Sequence, residues 1–587
     1  MGIVAVSQLA VGSLGLVAPA YAQLVPDNSL GIESSFITPD VPFGNGFTDR
    51  IDGGAIRSGN LFHSFLEFNV QNGQQVHFAN PADIENIFSR VTGVNSSSIL
   101  GTLGTLGQAN LYLINPNGIL FGPDAQLDVR GSFVGTTSNG VTFDNGYIFS
   151  ALNPDIPPLL AINSPMGLSS WLPTTGNIEN EGNLTVGQDF TLQGVSLNLH
   201  NQLEAGESLT LLATDTITAR DSDSHAFIAS AGNNLTLEGN TIDLYILQQA
   251  NSGLIAGNDL TLLSPNAIRA DAHFTTGGEF QAKDLSGNPA NVFSLEDPIV
   301  LAVGNVTLAD YTGPSLHVLA GGSVQMGDVT ITGPDTGTNT INPNNNTLIP
   351  GTTTPYSALS NVTLSDGITT LEISGNTQTT LDVRAGIDWN QAPFTGEPGI
   401  GAPTVDPAGA ANVNDPGGTL GSDITVGTIG IGQPGGLVLL TNQYQPNVNL
   451  PAGTIEVISI TEQFPPPAGP GSNIVIDARG DISLPSSGDI RSFGTPGGSI
   501  TLRSETAILQ PQDDADIDSF SLAGTGGDIT LVAPVINLGG NASTVFFGAF
   551  GPGKGGDFNV EADSFQSDFS SIGAILVTPG NGGQAGN

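Results

Sequence analysis

Four carboxylates, Asp513, Asp514, Asp516 and Asp518, crowd into six residues near the end of the sequence. Paired carboxylates are what glycoside cleavage requires, one as acid and one as base or nucleophile. The same residues also read as a solvated loop between strands that holds Ca²⁺ weakly, since carboxylate and carbonyl oxygens suit that hard ion. No basic group stands beside them in the sequence to bind an acidic sugar, so the loop is the stronger reading. The six histidines (His63, His77, His200, His225, His273 and His317) are scattered without metal-ligand spacing, and each is expected at the surface or in a turn. Arg479-Gly480-Asp481 spells a tripeptide associated with adhesion, but Gly480-Asp481-Ile482 fits equally well as a glycine-polar-apolar turn. There is no HExxH, no phosphate-binding loop and no GxSxG elbow, so no enzyme and no cofactor is expected.

The elements that carry these residues must be inferred from composition. The chain has 587 residues, with 54 Asp and Glu against 12 Lys and Arg, a formal net charge of −42. Such a surface repels nucleic-acid phosphates and anionic lipid headgroups. Yet only 11% of residues are charged and 38% are hydrophobic, which is too apolar for a disordered acidic chain. With 79 glycines, few helix formers and abundant Thr, Asn, Ile, Leu and Val, the chain should form many short strands joined by tight turns. The absence of cysteine excludes disulfides, thiolate metal sites and cysteine nucleophiles, and suits a chain that crosses an oxidising compartment unfolded.

Asn115-Pro116-Asn117-Gly118 is the clearest turn. Pro116 presets φ, Asn117 tolerates unusual backbone angles and Gly118 takes positive φ without cost. Strands are expected on both sides, at Leu111–Ile114 and Ile119–Phe121, with a second turn at Gly122-Pro123-Asp124. Turn chemistry alone would allow a simple hairpin here. Asn60–Val70 reads as strand, and Pro81–Phe88 is open between short helix and strand. From about Asn177 similar units recur, with leucines at 184, 209, 235 and 260 spaced by 25, 26 and 25 residues. Apolar residues at 474, 500, 529 and 558 repeat the pattern at 26, 29 and 29. A constant period is the mark of a solenoid, and strand-plus-turn units of this length make a parallel β-helix rather than a sandwich. In each unit the residues flanking Thr should face inward and Thr outward, and polar turn residues should form ladders along the stack. Twelve coils would give a rod on the order of 55 Å long.

The residues from Leu61-Phe62-His63-Ser64-Phe65 and Phe68-Asn69-Val70, through Ser89-Arg90-Val91-Thr92-Gly93, to the Asn115–Gly122 stretch and Gly131–Thr137 carry a more specific signal. Over roughly residues 24–160 this series closely resembles the N-terminal secretion domain of filamentous haemagglutinin-like exoproteins of two-partner secretion, most of all the cyanobacterial branch. The resemblance implies an all-β chain, a right-handed single-stranded parallel β-helix with an N-terminal cap. It also implies binding in the periplasm by the soluble domains of a dedicated outer-membrane transporter. Carried over residue by residue, the secretion motif is Asn115, Pro116, Asn117, Gly118, Ile119, Phe121 and Gly122.

Five segments are expected. Residues 1–22 form a signal peptide, mostly apolar from Ile3 to Ala20, with Ala20-Tyr21-Ala22 as cleavage site and Gln23 first in the mature chain. No Lys or Arg precedes that apolar run. Residues 23–165 form the secretion domain and 166–332 β-helix repeats. Residues 333–470, rich in Thr, Asn, Pro and Gly, form loops inserted in or linking the helix. Residues 471–587 form further repeats that break off at Gly582–Asn587, a turn that elsewhere opens a unit. No later segment has about 18 consecutive apolar residues, so no membrane-spanning helix is expected. The expected protein is an adhesin, secreted or held at the cell surface, touching glycans or proteins there. The alternatives are a β-helical polysaccharide-degrading enzyme and the stalk of a contact-dependent toxin.

Overall fold

The computed structural model describes residues 24–144, 146–154, 168–296, 298–335, 361–389, 421–462, 468–485, 488–510, 516–521, 523–539, 544–549, 553–567 and 571–573. The expected signal peptide with Ala22 and Gln23, the carboxylates Asp513 and Asp514, most of the Thr/Asn/Pro/Gly-rich stretches and the terminal Gly582–Asn587 turn lie outside the described residues.

The described residues form strands, turns and one short 3₁₀ turn at Gly31–Glu33, with no α-helix among them. Among the described residues no helix is long and apolar enough to cross a membrane. The strands wind as a parallel β-helix, each coil passing over three faces. Parallel crossovers of this kind take the right-handed sense. The first face carries one apolar column in register from Leu61 through Ile87, Leu111, Phe133, Phe190, Leu209, Leu235 and Leu260, and onward to Ile508 and Ile536. The third face is a separate 13-stranded sheet, from Asn183–Val186 to Phe558–Glu561, about 58 Å long at ~4.8 Å per strand. The strands at Leu209–Arg220 and Leu235–Tyr245 run on from the first face to the second, so those two faces count as one sheet. Alternation follows the pleat: Leu209 and Leu211 are buried while Thr210 is half-buried, and the buried residues form one core along the axis.

The repeat was legible, but its phase was misread. Leu184 does not stack with Leu209. It pairs in register with Leu203 on the third face, whereas Leu209, Leu235 and Leu260 stack on the first. The later series Ile474, Ile500, Ile529 and Phe558 does stack, and it too lies on the third face. Every face needs the same inward-outward-inward triplet, so apolar-Thr-apolar words recur on two faces, Leu209-Thr210-Leu211 on the first and Leu184-Thr185-Val186 on the third, and the triplet cannot say which. Nor is the coil constant in length: Leu184 to Leu203 is 19 residues and Leu209 to Leu235 is 26.

The expected ladders are present. Along one turn, the Ser208 amide donates to Asp189, that of Asp259 to Asn234, and that of Glu279 to Asp259. Along another, Asp310 donates to Asn291, Asp328 to Asp310 and Thr428 to Asp328. Asn60, Asn86 and Asn110 are joined side chain to side chain at 3.0 and 2.9 Å.

At the N-terminal end the chain departs from the coil pattern. Leu24–Pro26 pairs antiparallel with Asn60–Phe68, and Ser35–Phe43 pairs antiparallel with Gly46–Gly53 to form the edge of a five-stranded sheet that precedes the third face. This hairpin caps the open end of the core. Within the 81–88 stretch, residues 81–85 form a turn and Asn86–Val91 is a strand. Past residue 333, Thr380–Arg384 pairs with Leu316–Ala320 and Leu437–Thr441, and Ile424–Ile431 pairs with Val329–Ile331, so stacking continues through the described parts of that region.

Candidate functional site

The Asn115–Gly118 turn is not a hairpin. Asn110–Ile114 pairs in parallel with Asn86–Val91 and Phe133–Thr136, and Ile119–Phe121 with Ser97–Ile99 and Ile178–Asn180. The turn therefore carries the chain round a corner of the coil, from one stack of strands to the next.

Its geometry follows from residue type. The Gly118 amide donates to Asn115 O at 3.1 Å, closing the turn. Asn115 Oδ1 accepts from the Asn117 amide at 3.0 Å, and Asn115 Nδ2 donates to Asn95 O and Ser97 Oγ, both at 3.0 Å. Asparagine is suited to this position because one short side chain both accepts and donates. Gly118 sits at φ +119°, and a Cβ there would stand 3.1 Å from Asn177 O. The backbone around Gly118 locks three coils: its oxygen accepts from Ser97, and the next amide, Ile119, donates to Asn177 O at 3.1 Å. Pro116 O accepts the Thr175 hydroxyl at 2.9 Å.

Of the seven expected motif residues, Asn115, Pro116, Gly118, Ile119, Phe121 and Gly122 are buried and only Asn117 is exposed. Phe121 meets Phe133 edge-on at 6.1 Å in the core. Asn117 Nδ2 reaches back to Gly93 O at 2.8 Å. Beside the turn lies an open groove of about 350 Å³ lined by Ser96, Asn117, Leu120, Thr175, Asn177 and Glu179. Glu179 is exposed and Leu120 half-buried.

A polar hub that sequence reasoning missed lies behind the turn. Arg90 is fully buried, donating to Ser64 Oγ, Ser150 O and Ser29 Oγ at 2.9–3.0 Å, with its guanidinium 4.2 Å from the Phe149 ring centre. Asp27 accepts from Ser29, Ser64 and Thr92. Burial pushes the Asp27 carboxyl up, but these hydroxyls outweigh it and hold it below its ordinary value. An arginine inside an apolar strand was the available signal. Next to the hub, Phe62, Phe88, Phe143 and Phe149 form an aromatic cluster outside the first coils.

Four histidines contradict their expected place at the surface. His63, His77, His273 and His317 are fully buried, whereas His200 is half-buried and His225 exposed. Burial pushes His63 and His273 down to about 3, so both are neutral. His77 lies between Thr48 Oγ1 at 2.7 Å and Asp128 Oδ2 at 3.1 Å, which resembles a catalytic triad. The roles are wrong for one. The hydroxyl meets Nδ1 and is 2% exposed, while the exposed carboxylate meets Nε2. Among the described residues no group of three or more His, Asp or Glu is placed to hold a metal ion.

The described half of the acidic cluster is also corrected. Asp518 lies on a strand, Ile517–Ser521, and is buried, with Asp516 just before it. A basic group does stand among these carboxylates: Arg491 pairs with Asp489, Asp516 and Asp518 at 2.7, 2.6 and 3.1 Å. It was missed because it precedes Asp518 by a whole coil and is its register partner. Arg479 donates to Asn447 O and Leu450 O, and Asp481 accepts the Thr506 hydroxyl, so both charged members of the tripeptide are engaged within the rod.

Residues 22–295 match the family model of the TPS secretion domain. The Heme/hemopexin-binding protein of Haemophilus influenzae is 34% identical over 79 residues, which is 14% of this chain and 8% of that protein. A likeness to the crystal structure of the HMW1 secretion domain from Haemophilus influenzae covers 82% of this chain and 96% of that one, at 14% identity and a TM-score of 0.27. A score that low does not establish a shared arrangement of coils. The family match supports a two-partner secretion exoprotein; domains of this family are exported by an outer-membrane transporter, and the family is one of secretion domains and not of enzymes.

Proposed function

We propose that this chain is an adhesin. The rod is displayed at the cell surface or released from it, after export through a transporter whose periplasmic soluble domains read the surface around the Asn115–Gly118 turn. The observation that carries the recognition site is the groove beside that turn, where Asn117, Leu120 and Glu179 are reachable from solvent. The buried motif residues shape the groove and Asn117 presents it. An extended segment of the transporter laid there would gain backbone hydrogen bonds, with side-chain contacts to supply specificity. Cleavage after Ala22 would leave Gln23 one residue ahead of the first strand, Leu24–Pro26.

Adhesion follows from repetition. A rod with similar outward residues on successive coils offers many weak contacts, and several made together give avidity. The short match to the haem- and hemopexin-binding relative brings no ligand with it.

The test is export with and without the cognate transporter, comparing wild type with Glu179→Lys and Asn117→Ala. Wild type should leave the cell only with the transporter. The groove variants should fold, as judged by strand circular dichroism of purified protein, yet remain in the periplasm. Export of wild type without any transporter would overturn the route. Normal export of both folded variants would overturn the placing of the recognition surface. Purified rod that binds no surface glycan or protein even at high valency would overturn the adhesive role.

A further inference from the structure

Outward residues of the third face change character along the rod. Near its start they are Thr185, Glu204 and Ser230, and near its end Thr530 and Asn559. Between them stand Leu301, Leu319, Leu439 and Val475, none more than 5% exposed. A β-helix does not bury its own outer surface, so something else covers these residues. Part of the cover comes from Ile387, Trp389 and Tyr444, and part from the antiparallel hairpin of Asn361–Thr363 and Thr370–Glu372. Its Val362 and Leu364, with Ile373 just beyond, form one apolar cluster with the outward residues of the third face.

Two polar fastenings hold the hairpin at its turn. The Ser365 amide and hydroxyl donate to the Asp477 carboxylate at 2.7 and 2.6 Å, and Asp366 pairs with Arg503 at 3.3 Å. Asp477 and Arg503 are register neighbours on successive coils. They follow their partners by 112 and 137 residues, whereas most strands pair with the strand one coil earlier.

We propose that residues 361–375 are a strap that closes across the third face only after the coils through Arg503 have stacked. Coil stacking proceeds between neighbours, but the strap must wait for a surface that does not exist until Val475, Asp477 and Arg503 are in place. Once shut, it is fastened at Asp477 and Arg503 and covers outward apolar residues of coils that stack without it. It goes beyond the export reading and does not depend on it.

Hydrogen exchange on the full chain tests this, with Ser365→Ala/Arg503→Gln as the variant, which leaves Asp366 to hold the hairpin's own turn through the Ile368 and Thr369 amides. Amides of residues 361–373 should exchange roughly tenfold faster or more, since hydrogen bonds to charged groups are lost. Those of Leu316–Ala320 and Leu437–Thr441 should not change. In pulse-labelled refolding of wild type, the hairpin amides should gain protection after those of Asn473–Ala478. Unchanged hairpin exchange in the variant, loss of protection in hairpin and rod together, or hairpin protection ahead of Asn473–Ala478 would each overturn the strap.

Discussion

Replacing Asn115 with alanine separates folding from recognition at the turn. The side chain is fully buried and makes four hydrogen bonds, two from Nδ2 to Asn95 O and Ser97 Oγ and two into Oδ1 from Asn117. Alanine would leave the buried Ser97 hydroxyl and the Asn117 amide without these partners. Each buried polar group left unpaired costs ~1–3 kcal/mol, and solvent reaches part of the turn, so the loss should be about 2–4 kcal/mol. Asn117→Ala gives up two bonds of an exposed side chain, to Gly93 O and Asn115 Oδ1, and should cost about 1 kcal/mol or less. A solenoid opens locally, so the assay is hydrogen exchange at the amides of Gly118, Ile119 and Ser97 rather than a single melting point. Asn115→Ala should speed their exchange roughly 30- to 1,000-fold, the ratio that 2–4 kcal/mol sets. Exchange within about threefold of wild type would refute the reasoning and return Asn115 to the list of recognition residues.

Three further outcomes follow from buried charges. Arg384 is fully buried, paired with Asp382 at 2.7 Å and 4.5 Å from the Tyr444 ring centre; Arg384→Met should destabilise those coils by ~3–5 kcal/mol, and Arg384→Met/Asp382→Leu should recover most of it, read by denaturant midpoints. Burial, then the nearby Asp516 charge, pushes the Asp518 carboxyl up to about 7. The folded state therefore holds a proton that the unfolded chain releases near pH 4. The stability this gives is full below pH 4 and lost as pH rises through about 7, so exchange at Ile517–Ser521, corrected for intrinsic rate, should slow from pH 8 to pH 5, and Asp518→Asn should flatten the change. His63 has the opposite sign. Held neutral down to about 3 by burial, it should destabilise the cap by ~1.4 kcal/mol per pH unit as pH falls below its unfolded value near 6.5, and His63→Asn should remove that slope.

The parts of this fold legible from sequence were those fixed by neighbours in the chain. Asn115 through Gly118 could be read because a turn is made by four consecutive residues, and Leu-Thr-Leu because a pleat alternates locally. What could not be read depends on residues one or more coils away. Leu184 and Leu209 sit in similar words on different faces, and only the lengths of the intervening turns decide which. Arg491 finds Asp518 across a coil, Arg90 finds Ser150 on an antiparallel sheet 60 residues on, and His317 meets Gly375 just beyond the outer hairpin. The groove beside Asn117 was hidden for the same reason, since its other wall, Thr175–Glu179, belongs to a coil more than fifty residues on.

The ladders give the rod a direction. In the ladder bonds described above the donor belongs to the later coil and the side-chain acceptor to the earlier one, as with Asp259 on Asn234 and Asp328 on Asp310, and three further turns do the same: the amides of Ser132 on Asn110, Thr454 on Asp423 and Asp557 on Asp528. A finished coil thus presents oxygens already aimed at the amides of the next, and a chain that emerges from its N-terminal end first meets a template at each step. The same arrangement accounts for part of the net charge of −42, because carboxylates stacked at coil spacing are tolerable where each receives an N–H. Asp328 is the sharpest case, since its Oδ1 takes the Thr428 amide at 2.7 Å across a gap of 100 residues in sequence. If the acceptor matters and the charge does not, Asp328→Asn should leave exchange at Thr428 near wild type while Asp328→Ala raises it about 3- to 10-fold, the equivalent of one hydrogen bond of ~0.5–1.5 kcal/mol. Equal damage from both substitutions would mean that the charge holds the turn, and the template would then be electrostatic and weaken with salt.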